Sequence, residues 1–204
     1  MIKNENVALK KKISNLCTDL EKQKEENTSL KRDINKQSEM ANEKINDLEQ
    51  YGRRNNIRIN GMTEQDDEDE TQTTAAVIEV LNKNIPDLDL IQADVDIAHR
   101  LGKKEENKKR QIIVKFVSIM KRDIIFREKK KAFKDKQMFI NEDLIRINQQ
   151  VLFSLRKNMP DEVDKAWSRG GKLYFKNTAS TIHLVPYQEY DHWLDLPWPT
   201  NVEK

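Results

Sequence analysis

The chain has 204 residues, 35% of them charged and 6% aromatic. That length suits one or two small domains, and the composition is too polar for a packed globule from end to end. The formal net charge of +2 conceals a segmented map: 0 for residues 1–50, +3 for 51–60, −10 for 61–98, +10 for 99–137 and −1 for 138–204. Such separation suggests a polyanionic partner. The single cysteine, Cys17, excludes an internal disulfide and fits a reducing, intracellular setting. No apolar run approaches the ~18 residues that span a bilayer, so no membrane partner is expected.

Residues 1–51 lack proline and repeat apolar side chains every seven positions. Ile2, Leu9, Leu16 and Leu30 fit d, while Ile13, Leu20, Ile34, Ala41 and Leu48 fit a, which predicts an oligomerising coiled coil. Asn6, Gln23, Asn27 and Gln37 fall on the same seam. Buried amides weaken a seam but fix its register. Lys44 at a nominal d position points to a register shift, after which Ile45 reads as a and Leu48 as d. Asn at a favours dimers and mixed Ile and Leu permits trimers, so the heptads leave strand number open. Helix periodicity begins almost at the first residue, which suggests that a natural leader precedes it.

Gly52 ends that helix, and "NNIRING" then alternates with period two, Ile57 and Ile59 on one face and Asn56, Arg58 and Asn60 on the other. "EQDDEDE" (64–70) lacks the spacing and glycine of a calcium loop and is read as a mobile acidic loop. "TQTTAAVIEVLNKNI" predicts a helix with Ala75, Ile78, Leu81 and Ile85 inward, stopped by Pro86. "DVDIAHRLG" (94–102) predicts a strand that buries Val95 and Ile97 and exposes Asp96, Ala98 and Arg100. After a charged, structureless "KKEENKKR" comes "QIIVKFVS", the strongest strand. Ile112, Val114 and Phe116 should face helices, and Ile113 and Lys115 the other side. "MKRDIIFREKKKAF" reads as a helix and "QMFIN" as a last short strand.

The order β-α-β-β-α-β over residues 52–141 predicts a ferredoxin-like α+β domain, with one sheet face under two helices and the other open. Arg58 and Lys115 would be neighbours on that open face. Residues 142–204 predict a small α+β domain: an amphipathic helix in "EDLIRINQQVLFSLRKNM", a hairpin from "KAWSRGGKLYFK" and "STIHLV", and a final turn or two of helix in "YQEYDHWL".

Catalytic and metal signatures are absent from the sequence. His99, His183 and His192 are scattered, and no phosphate-binding glycine loop or nucleophile elbow occurs. His99 reads as a strand-end hydrogen-bonding group, and Asp161, Glu162 and Asp164 as a helix-start charge cluster. A non-enzyme without cofactors is expected. The candidates for nucleic-acid contact are cationic. They comprise Arg53, Arg54 and Arg58; Arg100, Lys103, Lys104, Lys108, Lys109, Arg110 and Lys115; and Arg127, Lys129–Lys131, Lys134 and Lys136. Arg156, Lys157, Arg169 and Lys172 extend the set into the C-terminal region. Trp167, Tyr174, Phe175, Tyr190 and Trp193 read as hairpin core, with Tyr174 able to reach a base. The third strand matches the usual RNA-recognition signature only at Arg110, Phe116 and Val117. Stacking platforms therefore look absent there, and binding is expected to be mainly electrostatic, with weak sequence preference.

"LEQYGRRNNIRINGM", "DIAHRLG", "RQIIVKFVSIMKRDII" and "FINEDL", in this order, resemble the RNA-binding protein encoded by the first reading frame of LINE-type retrotransposons, the transposase 22 family. "EDL" followed by "AWSRGGKLYFK" is also similar to baculovirus FP-like proteins. The resemblance implies a trimeric coiled coil, a noncanonical RNA-recognition motif and a small C-terminal domain. It further implies a cytoplasmic ribonucleoprotein, with the nucleus as a second location, that coats single-stranded RNA, takes single-stranded DNA as well and acts as a nucleic-acid chaperone in transposition. A reverse transcriptase/endonuclease of the same element is an implied partner. Family RNA contacts carry over onto Arg53, Arg54, Arg100, Arg110 and Lys115. After "EDL" the family often has an arginine pair, where this chain reads "NQQVLF" and supplies Arg156 and Lys157 later. Two rivals remain at this point: a coiled-coil structural adaptor, and a dimeric DNA-binding factor, although zipper factors carry the basic region before the heptads.

Overall fold

The computed structural model describes residues 2–105, 108–157 and 162–194. The chain divides into two units, residues 1–46 and 47–204. The described residues of the first are helical, as part of α1 (Ile2–Gly52). Its apolar seam lies outward: Leu9, Ile13, Leu16, Leu20, Leu30 and Ile34 are all more than half exposed, and Asn27 is exposed beside them. A lone helix leaves such a stripe in water and draws little stability from propensity alone.

The second unit is α+β. Strands β1 (Asn56–Asn60), β2 (Val95–Arg100), β3 (Ile112–Phe116) and β4 (Phe139–Glu142) form an antiparallel sheet in the order β2-β3-β1-β4. Helices α2 (Glu70–Asn84) and α3 (Ile119–Ala132) connect β1 to β2 and β3 to β4. Alternation works as expected on β1 and β3, where Ile57, Ile59, Ile112, Val114 and Phe116 are fully buried against Val77, Leu81 and Ile125 of the helices. Arg58 and Lys115 share the opposite face. Asp69 caps α2 with a reciprocal box, its carboxylate accepting from Gln72 N–H while the Gln72 side chain accepts from Asp69 N–H.

Two expectations are met only in part, for physical reasons. In α2 and its C-cap the expected Leu81 and Ile85 are buried, but Thr73, Thr74 and Val77 lie inward with them and Ala75 is exposed. The threonines tolerate burial because their hydroxyls donate back to the Asp69 and Glu70 carbonyls at 2.9 and 2.7 Å. In β2 a bulge between Val95 and Ile97 inserts one residue against β3. Past a bulge the faces exchange, so Ala98 and Arg100 are buried and Ile97 is 40% exposed.

A second core follows. α4 (Arg146–Lys157) lays Val151, Leu152 and Leu155 against Val163 and Ala166 of β5 (Val163–Arg169) and Leu173 of β6 (Lys172–Asn177). β7 (Ile182–Leu184) pairs with β6, and α5 (Tyr190–Leu194) closes the cluster with Tyr190 and Trp193. The segment expected as one strand therefore contains two, which turn at Gly170–Gly171 with φ of +60° and +78°. Asp164 lies on β5 and pairs with Lys176 at 3.4 Å. That replaces the helix-start reading of the acidic cluster, of which Asp161 lies outside the described residues, as do residues 195–204 of the expected C-terminal domain.

Buried polar groups join the two cores. Gln50 donates to the Asp143 carbonyl at 3.0 Å and accepts from Ile145 N–H at 3.0 Å and from Asn148 at 3.1 Å. Glu142 accepts from Arg122 at 2.7 Å and from the Gly170 and Gly171 N–H groups at 2.7 and 3.2 Å. A Cβ on Gly171 would collide with Gln50 Cγ, so this turn requires glycine twice over. No helix among the described residues is long and apolar enough to cross a membrane.

Candidate nucleic-acid interface

On the uncovered face of the first sheet, β1 contributes Asn56, Arg58 and Asn60, β3 contributes Ile113 and Lys115, and β4 contributes Asn141 and Phe139, the last 64% exposed. Phe139 gives this face an aromatic side chain, which the sequence reading placed nowhere. Its signal was available, because Ile140 points inward and both neighbours must point out. Arg58 donates to Asp143 at 2.6 Å and to the Gln111 side chain at 3.0 Å. Lys115 pairs with Asp96 at 2.6 Å, both about half exposed.

A groove of about 290 Å³ runs from this face to α4 and β5, lined by Arg58, Gln111, Lys129, Asn141, Arg156 and Trp167 among others. Lys129 donates to the Ile140 carbonyl at 2.7 Å and lies 4.0 Å over the Phe126 ring. Burial draws its ammonium down to about 8, with Arg122, Lys130 and Arg156 pushing the same way and Glu142 resisting. Arg156 has an exposed side chain whose Nε donates to the Ala166 carbonyl at 3.0 Å. Desolvation by the groove walls still lowers its guanidinium from the usual arginine range. Among the described residues neither cation is in a salt bridge with a carboxylate. Trp167 stacks across strands on Tyr174, with centroids 6.0 Å apart and planes 13° apart, on the side of the sheet away from buried Leu173. The expected hairpin core thus holds for Tyr190 and Trp193, whereas Trp167 and Tyr174 stay half-buried beside the groove.

Arg58 and Gln111 also line a second groove of about 450 Å³ with Asn60, Lys103, Lys108, Lys109 and Arg110. Lys103 is exposed, Lys108 pairs with Glu105 at 3.1 Å and Lys109 donates to the Gly61 carbonyl at 3.4 Å. A third cavity, about 300 Å³, gathers Arg53, Arg54 and Lys172 around Tyr51. Arg54 lies 3.8 Å over the Tyr51 ring, while Arg53 bonds Glu49 at 3.1 Å and approaches Asp143 at 3.6 Å. Lys157 and Arg169 are exposed and line none of the three.

Arg100 is not at the surface. Only 8% exposed, it uses all five N–H groups internally: on Glu68 Oε1 and Oε2 at 2.9 and 3.1 Å, and on the carbonyls of Met62, Thr63 and Arg110 at 3.1, 2.6 and 3.1 Å. The β2 bulge turns it inward, which corrects its assignment as a contact residue. The acidic stretch is paired with the basic one. Glu64 holds Arg110 at 2.6 Å, Asp66 holds Lys104 at 2.8 Å, and Glu68 holds Arg100. The basic stretch of α3 also divides. Lys129 reaches the groove, whereas Arg127, Lys131 and Lys136 line a separate cleft with Lys83, between the ends of α2 and α3. His99 keeps a buried Nδ1 with no hydrogen-bond partner among the described residues, unlike the bonded group expected there. No cluster of three or more metal-ligating side chains occurs among the described residues.

The sequence named Lys129 but could not disclose the tertiary burial that alone sets it apart from its neighbours, nor the Arg58–Gln111 bridge between two grooves. Asn141 was within reach, since it stands opposite Arg58 in the β1–β4 register. No family model matches the sequence and no curated protein matches it, so the function rests on this arrangement of side chains.

Proposed function

We propose that the chain is an oligomeric, largely sequence-independent binder of single-stranded RNA, and of single-stranded DNA, that works as a nucleic-acid chaperone in a cytoplasmic ribonucleoprotein of a LINE-type retrotransposon. One observation carries the reading: two partly desolvated cations, Lys129 and Arg156, share a groove with a half-exposed tryptophan and with amides from an uncovered sheet. Cations answer phosphate, and a tryptophan face answers any base, worth about 1–3 kcal/mol per stacked base. The strand order β2-β3-β1-β4 with both helices on one side supports an RNA-recognition-motif-like domain. The exposed heptad seam of α1 supports an oligomeric coiled-coil stem, and the family resemblance makes that stem a trimer. Several copies on one stem make later contacts intramolecular, and many weak contacts let strands exchange, as chaperoning demands.

The test is filter binding of a single-stranded RNA across a salt series, comparing the parent with a Lys129→Met/Arg156→Ala double variant. The slope of log K against log salt should flatten by about 1.4, at 0.7 per phosphate contact on a single strand. Identical curves would favour the adaptor, in which the charges serve solubility and the stem recruits proteins.

A further inference from the structure

Three ion pairs tie the acidic stretch to the basic one, and they differ in depth. Glu68–Arg100 is internal, each side chain 3% exposed. Glu64–Arg110 is intermediate, at 7% and 22%. Asp66–Lys104 lies outside, at 98% and 49%. The inner pair fixes the backbone, helped by Gln65 N–H donating to Glu68 at 3.1 Å. From that anchor Glu64 and Asp66 extend over the cations beyond. Glu64 takes Arg110 through Nε and Nη2 at 2.9 and 2.6 Å and its backbone N–H at 3.3 Å. Both guanidinium bonds end on Glu64 Oε1, and an anionic phosphate oxygen accepts from the same pair of N–H groups. Arg110 lines the same groove as Arg58, Lys103 and Lys109, so its guanidinium stands at the interface while already neutralised.

We propose that Glu64 and Asp66 act as internal stand-ins for phosphate, occupying Arg110 and Lys104 until a nucleic acid displaces them. The inference rests on the nucleic-acid reading above and adds a regulator to it. The exposed Asp66–Lys104 pair contributes little stability and yields to salt or to a denser anion, and the partly exposed Arg110 faces the same anion from the groove. A strand whose neighbouring phosphates are already engaged by Lys103 and Lys109 presents such an anion at high local concentration. Binding then trades two internal pairs for two phosphate contacts. The carboxylates raise the phosphate density a ligand needs and weaken short or isolated anions most.

The experiment measures binding of a 30-nucleotide oligouridylate to the full-length parent, to Asp66→Asn and to Glu64→Gln/Asp66→Asn, between 0.05 and 0.5 M salt. Asp87→Asn makes the same charge change in the cleft between α2 and α3 and serves as control. Each released cation should steepen the salt slope by about 0.7. With binding equal at 1 M, that is about fivefold tighter at 0.1 M for Asp66→Asn and about 25-fold for the double variant. The control should shift binding by less than Asp66→Asn. Asp66 is almost wholly exposed, so its variant reads out even if the double variant is unstable. A parent that binds, with Asp66→Asn indistinguishable from it, weaker, or no better than the control, overturns the stand-in role alone. A parent that does not bind overturns both readings.

Discussion

Glu68 is the group through which acid should loosen the first core. Its carboxylate is 3% exposed, and burial alone would raise its pKa. Hydrogen bonds from Arg100, Thr73 and Gln65 N–H reverse that and bring it from an ordinary 4.5 to about 2. Because the folded value is the lower one, the stabilisation is complete above the unfolded pKa and is lost as pH falls from about 4.5 towards 2. A difference of about 2.5 units corresponds to about 3 kcal/mol at neutral pH, of which about 2 kcal/mol is gone at pH 3. Urea unfolding at one fixed protein concentration, followed by circular dichroism at pH 7 and pH 3, measures it. Glu68→Gln should be less stable than the parent by about 3 kcal/mol at pH 7 and should lose about 2 kcal/mol less between the two pH values. Parallel losses in parent and variant would refute the assignment. Arg100→Met should cost more than Glu68→Gln, since it strands Glu68 and also leaves the Met62, Thr63 and Arg110 carbonyls without their donor. If Arg100 only braces the loop, that variant should also retain RNA affinity.

Lys129 sets a second pH dependence of opposite sign. Phosphate binding restores its proton, so affinity should fall about tenfold from pH 7 to pH 9, whereas Lys129→Met should be nearly flat over that range. Gly61 has φ +89°, and a Cβ there would land on the Gln137 carbonyl oxygen. Gly61→Ala should therefore cost about 3 kcal/mol in the same urea assay. If the proposed stem forms, Ile13→Asp/Ile34→Asp should convert oligomer to monomer in equilibrium sedimentation and reduce RNA affinity without altering the grooves.

The strands β1 and β3 were legible because their apolar residues alternate without interruption and both flank the same core. α2 was legible as a helix and its face only in part, since Leu81 and Ile85 are buried as read but two back-bonded threonines also sit inward and Ala75 does not. The hairpin turn was visible as Gly170–Gly171 and still read as strand interior, because alternation continues on both sides of it. Of the candidate site, charge located the basic stretches but not their partners. Ion pairing across 38 or 46 residues of chain, as in Lys104–Asp66 and Arg110–Glu64, leaves no periodic trace. Lys129 differs from Lys130 and Lys131 only through what folds over it.

The extra residue in β2 carries a lesson in parity. Asp96 shifts every later position of that strand by one, so an arginine that simple counting would send to the ligand ends instead as the rivet of a neighbouring loop. Had the strand been one residue shorter, the same letters "HR" would have exchanged inside for outside, and Glu64 and Asp66 would have had no anchored arm from which to reach. Any comparison with a distant sequence that aligns arginine to arginine across this point will carry over the wrong meaning unless it first settles whether the insertion is present.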